Sequence, residues 1–175
     1  MTDLIARARS LIADSAGASQ VFADQEIQDV LDLNRDEERY EELEALETIT
    51  AGGAVSYLIW VSDDGYFDAD AVVCDATYTA LTPTAVDYIA GRWTFSTSQS
   101  GVYVTGWHYD IYAASADLCD RWAAKLKLAY DFSADGASYK RSQQIAALKE
   151  LAAGLRSQST EGQVSSVSMV RDDVN

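Results

Sequence analysis

The sequence predicts an α+β protein in which both ends of the chain form a small four-helix bundle, with a β-rich hairpin insertion between the second and third helices. Helical periodicity of apolar residues occurs at both ends of the chain, and short β-branched or aromatic runs fill residues 52–107. The length of 175 residues, 48% of them hydrophobic, suits one domain with a packed core. We therefore assign residues 1–156 to a single domain and 157–175 to a flexible C-terminal tail.

Two short amphipathic helices are predicted at the start of the chain, at about 2–14 and 24–33. Thr2 or Asp3 opens the first helix, which ends before a glycine-containing turn. Asp24 is a suitable N-cap for the second. The inward-facing residues are Leu4, Ile5, Ala8, Leu11 and Ile12 in the first helix, and Ile27, Val30 and Leu31 in the second.

The acid-rich run at 35–47 fits two conformations. Tyr40, Leu43 and Leu46 have helical spacing, whereas an extended segment after Arg39 is the alternative we prefer. From residue 52 the pattern is β, with short runs at 55–61, 71–74, 78–81, 87–89, 92–95 and 102–105. Turn residues separate these runs, as expected for successive hairpins.

Two further helices are predicted at about 109–131 and 138–155, separated by the turn Asp131 to Gly136. The first carries an apolar stripe formed by Ile111, Leu118, Trp122, Leu126 and Ala129. In the second, Gly154 stands where a C-terminal cap would lie. The residues after Arg156 are mostly polar and include Val164, Val167 and Met169, of which Val167 and Met169 alternate with serine. A strand donated to a neighbouring sheet is therefore an alternative to the frayed terminus that we prefer for the isolated monomer.

The net charge of −15 is unevenly distributed. Residues 1–50 carry thirteen acidic and four basic residues, whereas residues 111–156 carry five acidic and seven basic residues. Specific binding of duplex DNA is not expected, because such binding depends on phosphates neutralised by Lys and Arg. No run approaches the roughly 20 apolar residues of a membrane span, and no secretory signal is recognised, so we expect synthesis in the cytoplasm.

The sequence does not predict an enzyme, a metal site or a cofactor. His108 is the only histidine and lacks a motif for nucleophilic catalysis or zinc binding, so we assign it a structural role. The turn at 131–136 matches the first half of a calcium loop, but Ser142 stands at the twelfth position, where such a loop has a glutamate. We therefore interpret it as a turn that separates two helices. A second cluster of carboxylates comprises Asp63, Asp64, Asp68 and Asp70. It could hold a weakly bound cation, but Asp64-Gly65 is first a signal for a turn between strands, which is the interpretation we prefer. Cys74 and Cys119 are interpreted as buried thiols.

Several segments resemble the head-to-tail adaptor, or connector, proteins of long-tailed bacteriophages. The segments are DQEIQDVL at 24–31, VYVTG at 102–106, YDIYAASA at 109–116, DRWAA at 120–124, YDFSADG at 130–136 and SYKRSQ at 138–143. They occur in the order found in that family and extend, with gaps, from residue 24 to residue 143. Residues 40–48 occupy the place of an extended segment in those proteins, which is why we prefer a strand there.

The resemblance implies a structural protein of the virion neck. Subunits would form a ring, usually twelve-fold, beneath the portal protein, extend the DNA channel without binding DNA specifically, and connect the capsid to the next neck protein, a stopper or tail terminator. The expected portal or subunit interface comprises Arg121, Lys125, Lys127, Lys140, Arg141, Val164, Val167 and Met169. The expected acidic face, towards the channel or a neighbouring subunit, comprises Glu37, Glu38, Glu41, Glu42, Asp63 and Asp64. The alternative is a monomeric acidic interaction module or DNA mimic.

Overall fold

The structure, a computed structural model, describes residues 1–49, 52–128, 133–134, 137–138 and 141–159. The helices are α1 (Thr2–Ile12), α2 (Asp24–Leu33), α3 (Ile111–Lys127) and α4 (Arg141–Arg156). The strands are β1 (Arg35–Glu42), β2 (Glu44–Ile49), β3 (Val55–Val61), β4 (Val72–Cys74), β5 (Ala80–Leu81), β6 (Ala85–Asp87), β7 (Arg92–Thr94), β8 (Tyr103–Tyr109), β9 (Ser133–Ala134) and β10 (Ala137–Ser138).

The structure is α+β, but the predicted four-helix bundle with a hairpin insertion is wrong. Two antiparallel four-stranded sheets are present, in the orders β1-β8-β4-β5, here called the first sheet, and β2-β3-β7-β6, here called the second sheet. The strands begin at Arg35, before the β-rich insertion predicted at 52–107. The preference for an extended segment after Arg39 is confirmed, although the strand starts four residues earlier. The first sheet is also not made of successive hairpins, because β8 lies between β1 and β4. The flexible tail was predicted at 157–175. Of these residues, 157–159 are described and follow α4, and 160–175 lie outside the described residues.

The acid-rich run forms β1 and β2, and both are edge strands. Most side chains of β1 are exposed. A charged strand is stable at a sheet edge because its free side faces solvent, where charge also discourages pairing with other chains. Glutamates, which are numerous in this run, are equally common on helix surfaces, so composition alone did not decide between a helix and a strand.

A bulge in β1 gives Tyr40 a left-handed backbone conformation, with φ of 58°. Such a conformation is strained for a residue with a side chain. The Tyr40 ring stacks between Tyr78 and Tyr103, with centroid distances of 4.3 and 4.2 Å. Its N–H also donates to Thr105 Oγ1 at 3.1 Å. These contacts hold the bulge in place on the exposed side of the first sheet.

The helices and the sheets have separate hydrophobic cores. The helical core contains mainly aliphatic residues of all four helices, such as Leu4, Val30, Leu118 and Ala152. The core of the sheets is richer in aromatic residues, with Trp60, Phe67, Trp93 and Phe95 buried. No helix in the described part of the chain combines the length and apolarity needed to cross a membrane.

Helix ends differ in detail from the predictions. Ala23, not Asp24, is the N-cap of α2, and the Glu26 carboxylate accepts its N–H at 2.8 Å. Gly154 is not a C-terminal cap, because α4 continues to Arg156. Cys119 is buried as predicted, whereas Cys74 is only half-buried.

Candidate functional site

An acidic cleft forms where β1 and β2 meet the end of β3. The cleft has a volume of about 270 Å³, and five carboxylates line it: Glu41, Glu42, Glu44, Asp63 and Asp64. Four of them belong to the acidic face proposed from the sequence. Of the other two residues of that face, Glu37 pairs with Arg39 on the same strand, and Glu38 points to His108. The structure thus brings most of the predicted acidic residues to one place.

His108 lies one residue before the end of β8, and its side chain is buried. Its Nε2 lies 3.2 Å from Glu38 Oε1. The two side chains are diagonal neighbours, since Asp36 pairs with His108 and Glu38 pairs with Gly106 in the β1–β8 ladder. Burial raises the pKa of the Glu38 carboxyl above its ordinary value, and the nearby His108 imidazole opposes this shift.

Asp64 completes a cluster with these two residues. One ligand atom each from Glu38, Asp64 and His108 lie within 4.8 Å of one another. A cavity of about 160 Å³ adjoins the cluster and is bordered by Asp64, Tyr66 and His108. In the sequence, Glu38 and Asp64 are notable only for their charge, and nothing there connects them to His108. The pairing of β1 with β8 brings Glu38 to His108, and the turn after β3 adds Asp64.

Asp68, which the sequence grouped with Asp63 and Asp64, has a different role. Its Oδ2 accepts a hydrogen bond from the Tyr109 hydroxyl at 3.0 Å. Its Oδ1 accepts the N–H of Ala69 at 2.7 Å. The residue therefore fixes the segment between β3 and β4 rather than joining a carboxylate cluster.

The predicted basic interface is divided between engaged and exposed side chains. Lys125 binds Glu26 Oε1 at 3.0 Å and lies 4.2 Å from the centre of the Phe22 ring, so it joins α3 to α2. Arg121 and Lys127 are exposed on α3. Lys140, Val164, Val167 and Met169 lie outside the described residues.

Arg141, the first residue of α4, borders an apolar groove that the sequence analysis did not find. The groove has a volume of about 580 Å³, and its principal apolar lining residues are Ile12, Trp122, Leu126, Leu148 and Leu151. Arg141 Nη1 is buried there, without a hydrogen-bond partner among the described residues. Trp122 and Leu126 were predicted as part of an apolar helix stripe, but the periodicity did not show that they would lie only half-buried in a groove.

The end of the β2–β3 hairpin carries a second apolar surface. Ile49 pairs with Val55, and Tyr57 lies two residues further along β3, so these three side chains share one face. Ile49 is 73% exposed, Val55 53% and Tyr57 37%. We call this face the hairpin tip. Exposed clusters of this kind are typical of contact surfaces between proteins.

The C-terminal end of α4 is anchored beside the start of α3. Asp110 is the N-cap of α3, and its Oδ1 accepts the N–H groups of Tyr112 and Ala113. Ser159 is buried, and its hydroxyl donates to Asp110 Oδ2 at 2.5 Å. Ser159, three residues beyond the end of α4, is thus anchored to the start of α3.

The chain matches no protein-family model, no curated protein and no solved structure in the comparisons with known proteins.

Proposed function

We propose that the protein is a structural subunit of a bacteriophage neck that assembles into a ring beneath the portal protein. In this role it extends the DNA channel and connects the capsid to the next neck protein. The segments that resemble head-to-tail adaptors support the proposal, and so do two apolar surfaces on one chain. The observation that carries it is the exposure of the hairpin tip together with the apolar groove between α1, α3 and α4.

A closed ring requires two different, complementary surfaces on each subunit. The hairpin tip offers a small exposed apolar face, and the groove offers an apolar concavity. We place the hairpin tip of one subunit in the groove of the next. Removal of both surfaces from water would stabilise the contact by roughly 25 cal/mol per Å² of apolar area buried.

The acidic cleft suits a surface near passing DNA. Its five carboxylates repel phosphates, so a channel bordered by them would let the duplex slide without specific contacts. The exposed Arg121 and Lys127 are available for an acidic surface of the portal or a neighbouring subunit. The protein is then found in the virion neck after synthesis in the host cytoplasm.

The assembly is tested by light scattering after size exclusion, with the protein alone and mixed with the portal protein of the same phage. Ile49→Asp should abolish the ring or the portal-dependent complex, because it places a charge in the apolar contact. Thr48→Asp is the matched control, since Thr48 lies on the opposite face of the same strand. Leu151→Glu in the groove should act like Ile49→Asp, and Ala153→Glu, on an exposed position outside the groove, should not.

The C-terminal residues are tested by deleting 160–175 rather than 157–175. This boundary keeps the Ser159–Asp110 hydrogen bond, so a loss of docking is not confused with a loss of stability. The truncated protein should retain its thermal unfolding midpoint and bind the portal more weakly. Undiminished portal binding would refute a docking role for these residues.

The acidic cleft also favours a second candidate, a monomeric module whose carboxylates imitate DNA phosphates. Such a protein would remain monomeric with the portal and would bind a DNA-binding protein. Replacing Glu41, Glu42 and Asp63 by their amides would then abolish binding, whereas it would leave assembly through the hairpin tip intact. A strict monomer that ignores the portal would favour this candidate over the adaptor.

A further inference from the structure

We propose that Glu38, Asp64 and His108 form a binding site for a divalent first-row transition ion, with Zn²⁺ as the preferred ion among those tested. The three residues come from β1, the turn after β3, and β8. Their ligand atoms lie within 4.8 Å of one another, and Glu38 Oε1 and His108 Nε2 are 3.2 Å apart. An ion bound here would join the first sheet to the second.

The spacing suits a small ion. Zinc lies about 2.0–2.2 Å from imidazole nitrogen and carboxylate oxygen, so two donors of a tetrahedral site are about 3.3–3.6 Å apart. Glu38 Oε1 and His108 Nε2, at 3.2 Å, are close to this separation. The third donor, on Asp64, lies within 4.8 Å of the other two, so binding requires a rotation of its side chain towards them. The adjoining cavity of about 160 Å³ has room for a water molecule as the fourth ligand.

The charges of the cluster also favour a cation. The cluster contains two carboxylates and one imidazole. When both carboxylates are ionised and the imidazole is neutral, the net charge is −2 in a partly buried place. A divalent ion would neutralise both carboxylates. The imidazole favours transition ions over Ca²⁺ and Mg²⁺, which prefer sites made entirely of oxygen ligands.

The backbone around the site is held firmly. The β1–β8 ladder fixes the positions of Glu38 and His108. The turn that carries Asp64 packs against Gly91, where an added Cβ would lie 2.3 Å from the Asp64 carbonyl oxygen. The N–H of Ser62 donates to the Gly91 carbonyl at 2.8 Å, and that of Tyr66 donates to the Ile89 carbonyl at 3.1 Å. Only side-chain rotation is therefore needed to complete the site.

The test is a calorimetric titration of chelator-treated full-length protein with Zn²⁺, Co²⁺, Ca²⁺ and Mg²⁺. A Cys74→Ser background removes the half-buried thiol as a competing ligand. Zn²⁺ and Co²⁺ should bind with one ion per chain, Co²⁺ should give the visible absorption of a tetrahedral site, and Zn²⁺ should raise the unfolding temperature. Ca²⁺ and Mg²⁺ should bind at least ten-fold more weakly.

Glu38→Gln and Asp64→Asn should each weaken Zn²⁺ binding at least ten-fold, and His108→Gln should do the same. The matched controls are Asp36→Asn and Glu47→Gln, which remove the same charge from exposed positions on β1 and β2 and should change binding less than two-fold. If His108→Gln fails to fold, the two isosteric amide variants still decide the question. The proposal is overturned if wild-type protein binds no Zn²⁺, if Ca²⁺ binds equally well, or if the controls lose as much affinity as the ligand variants.

Discussion

Two clusters of charged side chains lie in the two halves of the molecule, and their charges are balanced differently. In the helical half, the buried Arg9 binds Asp14 Oδ2 at 2.8 Å and Asp24 Oδ1 at 2.7 Å and donates to the Phe22 carbonyl at 2.7 Å. In the β half, the half-buried Glu38 and Asp64 have His108 as the one basic member of their cluster among the described residues. The comparison shows that a buried charge is stable when its partners are complete, and that an incomplete set of partners indicates a possible ligand.

The cluster around Arg9 also closes the loop between α1 and α2. Asp14 is buried, and its carboxylate accepts the N–H groups of Val21 and Phe22 at 2.8 and 3.2 Å. Every described polar contact of Asp14 therefore belongs to this loop or to Arg9. We interpret this cluster as a structural element that positions α2 against α1.

Arg9→Met should have the largest effect on stability. It leaves the Asp14 carboxylate buried without its cation, and breaking a buried ion pair typically lowers the free energy of unfolding by about 3–5 kcal/mol. The measurement is urea denaturation followed by circular dichroism. Arg121→Met makes the same change on an exposed surface and should alter stability by less than about 0.5 kcal/mol. Equal stability of the two variants would contradict a structural role for the Arg9 cluster.

Cys119 represents a third case, a buried ionisable group that remains neutral. Burial in the helical core raises the pKa of its thiol to about 11, from an ordinary value near 9, with a further contribution from Asp120. The folded state thus keeps the proton that the unfolded state releases. The contribution of this thiol to the free energy of unfolding is therefore complete below pH 9 and is lost as the pH rises to 11. The loss is about 2–3 kcal/mol.

The check on this pH effect is the difference between wild type and Cys119→Ala in urea denaturation, measured under reducing conditions from pH 8 to pH 11. Other groups also titrate in this range, so only the difference between the two proteins is informative. Wild type should lose stability more steeply than the variant. Parallel curves would show that the thiol has the same pKa in the folded and unfolded states.

Gly91→Ala should disturb the β half at the turn that carries Asp64. Gly91 has φ of 57°, and the added Cβ would meet the Asp64 carbonyl oxygen at 2.3 Å. We expect a loss of about 1–3 kcal/mol, because both the backbone conformation and the contact become unfavourable. Gly154→Ala is the control: it lies in α4 with nothing within 4 Å of the added Cβ, and it should stabilise the protein by about 0.5–1 kcal/mol. A Gly91→Ala protein as stable as wild type would show that the turn can move.

The sequence predicted the helices better than the sheets, for a physical reason. The periodicity that indicates α1 to α4 is local, so each helix could be found from its own residues. The pairing of β1 with β8 joins segments far apart in the chain, and no local pattern reports it. The contact between Glu38 and His108 depends on that register, as does the position of both beside Asp64. Charge alone could identify the acidic residues, but it could not identify the histidine among them.

Glu38→Gln should have the smallest effect on stability. It gives the most direct comparison between the cluster around His108 and the cluster around Arg9. In chelator-treated protein the substitution removes one of two neighbouring carboxylates while keeping the side chain's size and hydrogen-bonding capacity. We expect a change of less than about 1 kcal/mol, because the lost attraction to His108 is offset by weaker repulsion from Asp64.

Asp14→Asn is the matched substitution in the other cluster, and it should destabilise the protein by about 2–4 kcal/mol, because Asp14 loses its ion pair with Arg9 in a buried place. Urea denaturation of both variants, with and without Zn²⁺, measures the contrast. Zn²⁺ should stabilise the Asp14→Asn protein as it does wild type, and it should not stabilise Glu38→Gln. A large loss of stability for Glu38→Gln in chelator would instead mean that the Glu38–His108 pair is already complete without an ion, as the Arg9 cluster is.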